Sequence, residues 1–463
     1  RAAARDGRKI VGRKDADEPD TQQASPAQAC IYAGTLKVLS FEVMGMPKKV
    51  LLVILDGVAD GLQERKTALQ LAQKPVLDSF SKNGVGGVLD NQSEERAGLG
   101  PDSGVSTWLL LGYDKSDYPG RGYLDALGAG VSVKPTDVCI RANFACVKEG
   151  DSPLQDVPLN PKSVQHKHFI VTDRRAGRDI EGLHDLEKGI KEINIEGVPV
   201  RFFRSLGHRG VIVMSSSTVS PNVTGSDPGA DNMAVQEIKP TASDNASEKT
   251  AATLNKWSAD VYEALKNDPA NKYRKIPANY ILLRDPGMWR SVKSFKEKYG
   301  FTGLVVAASP VVKGMGRMLE MDVKDVIGAS GDMKSNLRDK TMAAIDALAK
   351  YDFVILHILG TDVVSHDRKM DAKTGFIDKI DREVFGRIRE YVDKKKVLIA
   401  VTSDHICNVY TGKHEKGAFP FCLYTQGMKP NETVAFDEVS SKEPLGPKLH
   451  IEDFMEFLNH HRA

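Results

Sequence analysis

Three apolar runs in this chain each end in an aspartate, and two of them add histidines. Val50–Leu55 leads to Asp56, Tyr351–Ile358 leads to Asp362 and His366, and Val397–Val401 leads to Asp404 and His405, with His414 a short way beyond. The runs are apolar throughout rather than alternating, the pattern of strands covered by helices on both faces. Ligands of open α/β sheets gather beyond the carboxyl ends of the strands, which is where these side chains fall. Asp362 and His366 have i, i+4 spacing, so a single helical turn sets both on one face. Carboxylates mixed with imidazoles suit manganese, zinc or cobalt better than calcium, which prefers oxygen alone. One such aspartate would more often be a helix cap or a turn residue. The set predicts a metal site, for two ions, at the C-terminal edge of a parallel sheet.

A metal pair needs a group to activate, and Ser103 is the candidate nucleophile. It sits in Gly100-Pro101-Asp102-Ser103-Gly104, a bend just before the apolar helical stretch Val105–Leu111. A bend at a helix start exposes the hydroxyl and turns free backbone N–H groups toward an anion. A serine hydroxyl is a poor nucleophile near neutral pH, and metal coordination lowers its pKa. The competing role is that of helix N-cap. Cations supply the other half: Arg174, Arg175 and Arg178 in one Gly-containing turn, Arg141 on a strand, and His208-Arg209 after Gly207. Arginine forks match phosphate and carboxylate bidentately, so a substrate bearing both groups would suit them. Solvated surface is the plain alternative for an arginine-rich turn.

The elements that must position these groups follow from the rest of the chain. The 463 residues allow two or three domains and a sizeable core. With 41% hydrophobic and 27% charged residues the composition is that of an ordinary globular protein. The 64 basic and 62 acidic residues leave +2, which gives no case for a nucleic-acid or membrane partner through bulk charge. Cys30, Cys139, Cys146, Cys407 and Cys422 lack CxxC spacing, which fits a reducing compartment. No apolar stretch reaches the roughly 18 residues of a membrane span.

From Lys48 strand and helix alternate: strand Val50–Leu55, a helix over Ala68–Lys82, and later strands at Tyr280–Leu283 and Gly303–Ala308. Around Pro135 the texture becomes β-rich, with half-buried strands at Val138–Val147, Val198–Phe203 and Gly210–Ser215 and a helix near 180–193. The expected organisation is a disordered leader over 1–46, a metal-binding core over 47–135, an inserted domain over 136–225, and the second part of the core over 226–463. The acidic residues Asp15, Asp17, Glu18 and Asp20 argue against a transit peptide in the leader.

Taken in order, these motifs resemble the cofactor-independent phosphoglycerate mutases of archaeal type, within the alkaline phosphatase superfamily. The resemblance runs from Lys48 to about Tyr424. It rests on Asp56-Gly57, the Ser103 bend with Leu110-Leu111-Gly112-Tyr113-Asp114, Gly120-Arg121-Gly122, Leu127-Gly128-Ala129-Gly130, Arg141-x-Asn143-Phe144, the Asp173–Arg178 turn, Gly207-His208-Arg209, Lys313-Gly314, Asp362-x-x-x-His366 and Asp404-His405. It implies an α/β fold, an alkaline-phosphatase-like core with a mainly parallel sheet flanked by helices, plus a smaller inserted α+β domain. It further implies one metal at Asp362, His366 and His414, and a second at Asp56, Ser103, Asp404 and His405. Lys313 would contact the transferred phosphoryl group, with Arg141, Arg174, Arg175, Arg178, His208 and Arg209 as anion clamps. The cofactors would be two divalent ions, manganese first with cobalt, zinc or magnesium as alternatives, and no 2,3-bisphosphoglycerate. The chain departs from the family pattern around Ser103, between Asp362 and His366, after His405, and at Gly225 and Gly229. No ligand or nucleophile is lost in these changes; they bear on substrate choice and mutase efficiency.

The expected activity is therefore interconversion of 3-phosphoglycerate and 2-phosphoglycerate through phosphoserine, in the cytoplasm, on a small phosphorylated carboxylate. The rivals are a metal-dependent phosphohydrolase, a mutase for another phosphorylated metabolite, and a non-catalytic binding module. The first releases inorganic phosphate, and the last would hold no stoichiometric metal.

Overall fold

The structure is a computed structural model that describes residues 49–61, 65–91, 102–150 and 169–462. The expected leader over 1–46 lies outside the described residues. Eight strands form the central sheet, in the spatial order β10 (Asp322–Lys324), β9 (Gly303–Val306), β11 (Phe353–Ile358), β1 (Lys49–Leu55), β12 (Val397–Thr402), β15 (Ala418–Tyr424), β2 (Val85–Asp90) and β16 (Lys448–His450). Among them only β15 runs against the others, pairing antiparallel with both β12 and β2. The fold is mixed α/β with a mainly parallel central sheet.

The apolar runs explain its middle. All residues of β11 and β12 are buried, and β1 is buried from Val50 onward. Val50, Leu52 and Ile54 enter one core with Trp108, Val305 and Phe421, while Leu51, Val53 and Leu55 enter another with Leu77, Phe376 and Phe385. Each face of the sheet is thus covered, as continuous apolar strands require. A full aliphatic side chain buried here contributes roughly 1.5–3 kcal/mol.

The second sheet joins β4 (Phe169–Asp173), β3 (Asp137–Glu149), β7 (Arg209–Ser215), β6 (Val198–Arg204) and β5 (Glu192–Ile195), and β8 (Tyr280–Met288) pairs with β3. Its core also takes Leu254, Trp257, Val261 and Leu265 of the helix Asn245–Leu265. This unit therefore reaches past residue 225, the expected end of the insertion. The apolar stretch of β8 reads like any buried strand, and nothing local to it names β3 as its partner.

Two local differences have plain causes. The expected helix over Ala68–Lys82 is two, Ala68–Leu71 and Pro75–Lys82. Pro75 has no N–H to donate and disfavours helical backbone at Lys74, so the second helix starts at the proline. The expected helix near 180–193 is shorter, Leu183–Ile190, and the chain turns at once into β5.

Candidate active site

Parallel pairing of β1 with β11 on one side and β12 on the other sets Leu55 opposite Ile358 and Ile54 opposite Thr402. The residues that follow these strand ends consequently converge at one edge. Asp56 follows β1, Asp362 and His366 lie on the helix Gly360–His366 after β11, and Asp404-His405 follow β12. His414 arrives on β14 (Lys413–Glu415), folded back on β13 (Ile406–Asn408) so that it pairs with Cys407. Gly57 makes the turn possible: its φ is +58°, and a Cβ there would lie 2.8 Å from Cys407 Cβ and 3.1 Å from Asp362 Oδ1. Its N–H donates to Asp404 Oδ1 at 3.0 Å.

The six candidate ligands fall into two groups. In the first, His414 Nε2 lies 3.1 Å from Asp362 Oδ1 and 3.2 Å from His366 Nε2, and His366 Nε2 is 3.5 Å from Asp362 Oδ1. The other ring nitrogen of His366 is 2.8 Å from the Gly412 carbonyl, which orients the imidazole. In the second, His405 Nε2 lies 3.2 Å from Asp56 Oδ1 and 3.8 Å from Asp404 Oδ1. The groups adjoin, with the His405 and His414 rings stacked at 4.0 Å.

Ser103 meets the second group. Its hydroxyl lies 3.1 Å from His405 Nε2 and 3.3 Å from Asp56 Oδ1, and the residue is 6% exposed. The helix runs Ser103–Leu110 and Asp102 is its N-cap, accepting from Gly104 N at 2.7 Å. The capping duty that competes for Ser103 falls on its neighbour, which leaves the serine hydroxyl turned to Asp56 and His405.

Electrostatics supports a cation here. Burial and the charge of Asp56 push the Asp404 carboxyl well above the usual range. Burial opposes charge on His405, but Asp404 and Asp56 outweigh it and hold the imidazole up to about 10. Burial likewise raises Asp56, and the hydrogen bonds and charges of His357 and His405 overcome it and hold this carboxyl low. Asp404 Oδ2 is buried without a hydrogen-bond partner among the described residues. Crowded carboxylates with an orphaned oxygen fit divalent ions, with Asp362, His366 and His414 as one donor set and Asp56, Asp404 and His405 as the other. Cys407 reaches the first set, with Sγ 3.9 Å from the Asp362 carbonyl, while burial pushes its thiol upward and keeps it protonated.

The expected clamps lie on or beside the second sheet. Arg141 on β3 faces Asp125 at 3.3 Å and Asp285 at 3.4 Å. Arg174 has its fork on Asp227, two contacts of 2.7 Å. Arg178 reaches Asp367, next to His366, at 3.1 Å. Burial and then the charges of Arg178 and Arg174 lower Arg175. Burial, with the charges of Arg209, Arg175, Arg141 and Arg178, pushes His208 down to about 3 and keeps it neutral. Burial and the charges of Arg141 and Arg121 push Arg209 down to about 10, against the pull of Asp125 and Asp362. Arg141, Arg175, Arg178 and Arg209 thus crowd around a neutral His208. Lys313 lies on the helix Pro310–Met318 after β9, paired with Asp325 at 2.7 Å.

Reading residues alone missed His357, fully buried on β11 with Nε2 3.2 Å from Asp56 Oδ2. A histidine inside an apolar strand was the available signal. It also missed Asp125, Asp285 and Arg284, which meet Arg141 or Asp227 only through tertiary packing.

The architecture is that of an α/β protein with two donor groups beside a buried serine at one sheet edge, and the relatives specify the family. A family model described as 2,3-bisphosphoglycerate-independent phosphoglycerate mutase matches residues 81–271. The enzyme of that name from Methanopyrus kandleri is 36% identical over 409 residues, covering 86% of this chain and 93% of its own. A relative from Archaeoglobus fulgidus is 36% identical over 394 residues, with 84% and 92% covered. Among solved structures, a Pyrococcus horikoshii protein superposes with a TM-score of 0.71 at 25% identity, over 90% of this chain and 98% of that one. The cofactor-independent phosphoglycerate mutase of Thermoplasma acidophilum gives 0.56 at 28% identity, over 90% and 100%. The chain belongs to the 2,3-bisphosphoglycerate-independent phosphoglycerate mutase family.

Proposed function

We propose that this protein interconverts 3-phosphoglycerate and 2-phosphoglycerate through a phosphoserine at Ser103, with two divalent cations, manganese first. The observation that carries the reading is the Ser103 hydroxyl, 3.1 Å from His405 and 3.3 Å from Asp56, at the meeting point of two candidate ligand groups. Asp362, His366 and His414 would hold one cation, and Asp56, Asp404 and His405, with Ser103, the other. Bound there, the cations lower the pKa of the serine hydroxyl and offset charge on the phosphoryl oxygens.

The protein's own groups do the rest. Ser103 Oγ forms its bond to phosphorus in line as the ester oxygen of glycerate departs, and the proton it sheds ends on that oxygen. Arg141, Arg175, Arg178 and Arg209 hold the carboxylate and phosphate charges, and neutral His208 can donate without adding repulsion. Glycerate turns while held, and its other hydroxyl oxygen forms its bond to phosphorus as Ser103 Oγ departs, the hydroxyl proton ending on Ser103. Lys313, near the same sheet edge, would exchange Asp325 for the phosphoryl group. The second sheet must cover the site, because water that reached phosphoserine would release inorganic phosphate. Cys139, Cys407 and Cys422 are buried free thiols, in keeping with our assignment to the cytoplasm.

Purified protein supplied separately with manganese, cobalt, zinc and magnesium is incubated with 3-phosphoglycerate. Accumulation of 2-phosphoglycerate supports the reading. Inorganic phosphate as the sole product would replace it with a phosphohydrolase.

A further inference from the structure

A run of alternating charges connects the serine helix to the arginine turn. Asp102, the N-cap beside Ser103, pairs with Arg121, whose Nε is 4.0 Å from Asp125 Oδ2. The same oxygen is 3.3 Å from Arg141 Nε, and Arg141 Nη1 is 3.4 Å from Asp285. Arg284 then bridges Asp285 at 3.8 Å and Asp227 at 3.6 Å, and Asp227 carries the fork of Arg174. In the middle, the Nε atoms of Arg121 and Arg141 are both buried without a hydrogen-bond partner among the described residues. One carboxylate, Asp125, 5% exposed, faces the two of them.

The element carrying Asp125 is held rigidly between the two sheets. It lies on the helix Arg121–Gly128. At Gly122 a Cβ would come within 2.3 Å of the Cys139 carbonyl oxygen and 2.8 Å of that of Asp285, in the second sheet. At Gly128 it would come within 1.8 Å of the Pro310 oxygen, on the helix after β9. Backbone therefore meets backbone at both ends, which leaves little play in where Asp125 sits. Asp285 occupies a φ of +53°, beside a shift of register between β3 and β8 at Cys139 and Arg141. A non-glycine residue held in that region signals a conformation imposed by its surroundings.

We propose that Asp125 is a positioning residue for the phosphoryl transfer. Its carboxylate aims Arg141 at the substrate anion and, through Arg121 and Asp102, holds the Ser103 helix at a fixed reach from that arginine. The inference rests on the proposed mutase reading, because it needs a substrate anion between Arg141 and Ser103.

Asp125→Asn keeps the shape and removes the charge. The expected result is a rise in KM for 3-phosphoglycerate of about tenfold or more, the scale of one weakened charge-assisted contact. The inorganic phosphate share of the product should rise, because glycerate escapes before it turns. Phosphorylation of Ser103 and metal content should persist, and Asp125→Glu should recover part of the lost KM. A purely structural residue would lower the amount of active protein and leave KM and product ratio unchanged. Asp285→Asn is the safeguard, since asparagine tolerates a positive φ and Asp285 is partly exposed; it should shift both readouts in the same direction. If Asp125→Asn does not fold, Asp285→Asn decides alone. KM and phosphate share within about twofold of wild type in each folded variant would overturn the inference. Wild-type protein that makes no 2-phosphoglycerate would overturn the functional reading instead.

Discussion

At the scale of single residues, the pairing of Asp102 with Ser103 decides what the serine is free to do. Either residue type can cap a helix, and their order leaves the cap to the aspartate. Ser103→Ala should reduce formation of 2-phosphoglycerate by at least about 1000-fold, the scale of nucleophile removal, with melting behaviour nearly unchanged. Retention of most activity in that variant would remove both the serine and the covalent route. The two ligand groups should also separate on titration: Asp404→Ala and His414→Ala should each bind about one manganese where wild type binds two. Two ions retained in both variants would contradict the division. The residues at the strand ends were legible because an aspartate or histidine closing a continuous apolar run is a local pattern. His357 stood out only as a histidine inside an apolar strand, because its partner Asp56 lies across a strand pairing that no local pattern encodes.

Among the elements, the Arg178–Asp367 pair ties the arginine turn beside the second sheet to the end of the helix that carries Asp362 and His366. Both side chains are partly exposed, so the pair contributes at most about 1 kcal/mol to stability. If the second sheet closes over the site as proposed, this pair would help to hold it there. Arg178→Ala and Asp367→Ala should each raise the ratio of inorganic phosphate to 2-phosphoglycerate, and the double variant should do no worse than Arg178→Ala alone, which already lacks both the pair and the clamp. Additive effects would mean that the two residues act separately. The central strands were predicted nearly to their ends because burial on both faces writes itself into uninterrupted Val, Leu and Ile. Other features were less visible. Pro75 splits a helix whose apolar spacing runs straight through it, and β8 joins a sheet that the expected boundary at 225 excluded. Strand type is a local property, whereas strand partnership is not.

For the molecule as a whole, a buried carboxylate far along the chain makes stability depend on pH. Glu438 is buried and accepts from Asp60 N at 2.8 Å and from Thr67 Oγ1 at 2.7 Å. Burial pushes its carboxyl up to about 7, more than these hydrogen bonds draw it down. A carboxyl raised in the folded state keeps its proton after the unfolded chain has lost its own. Stability from this group is therefore present below about pH 4.5, falls as pH rises toward 7, and is constant above. The full swing is on the order of 3 kcal/mol. Glu438→Gln should thus gain in melting temperature relative to wild type between pH 5 and pH 8, and an equal difference at both pH values would contradict the assignment. The central claim is tested most directly by quenching the metal-loaded enzyme during turnover of 3-phosphoglycerate and locating phosphate on the intact chain by mass spectrometry. The account predicts a single phosphoryl group on Ser103, present while 2-phosphoglycerate accumulates and absent from Ser103→Ala. Steady formation of 2-phosphoglycerate with Ser103 unmodified throughout, or with the alanine variant still active, would contradict it.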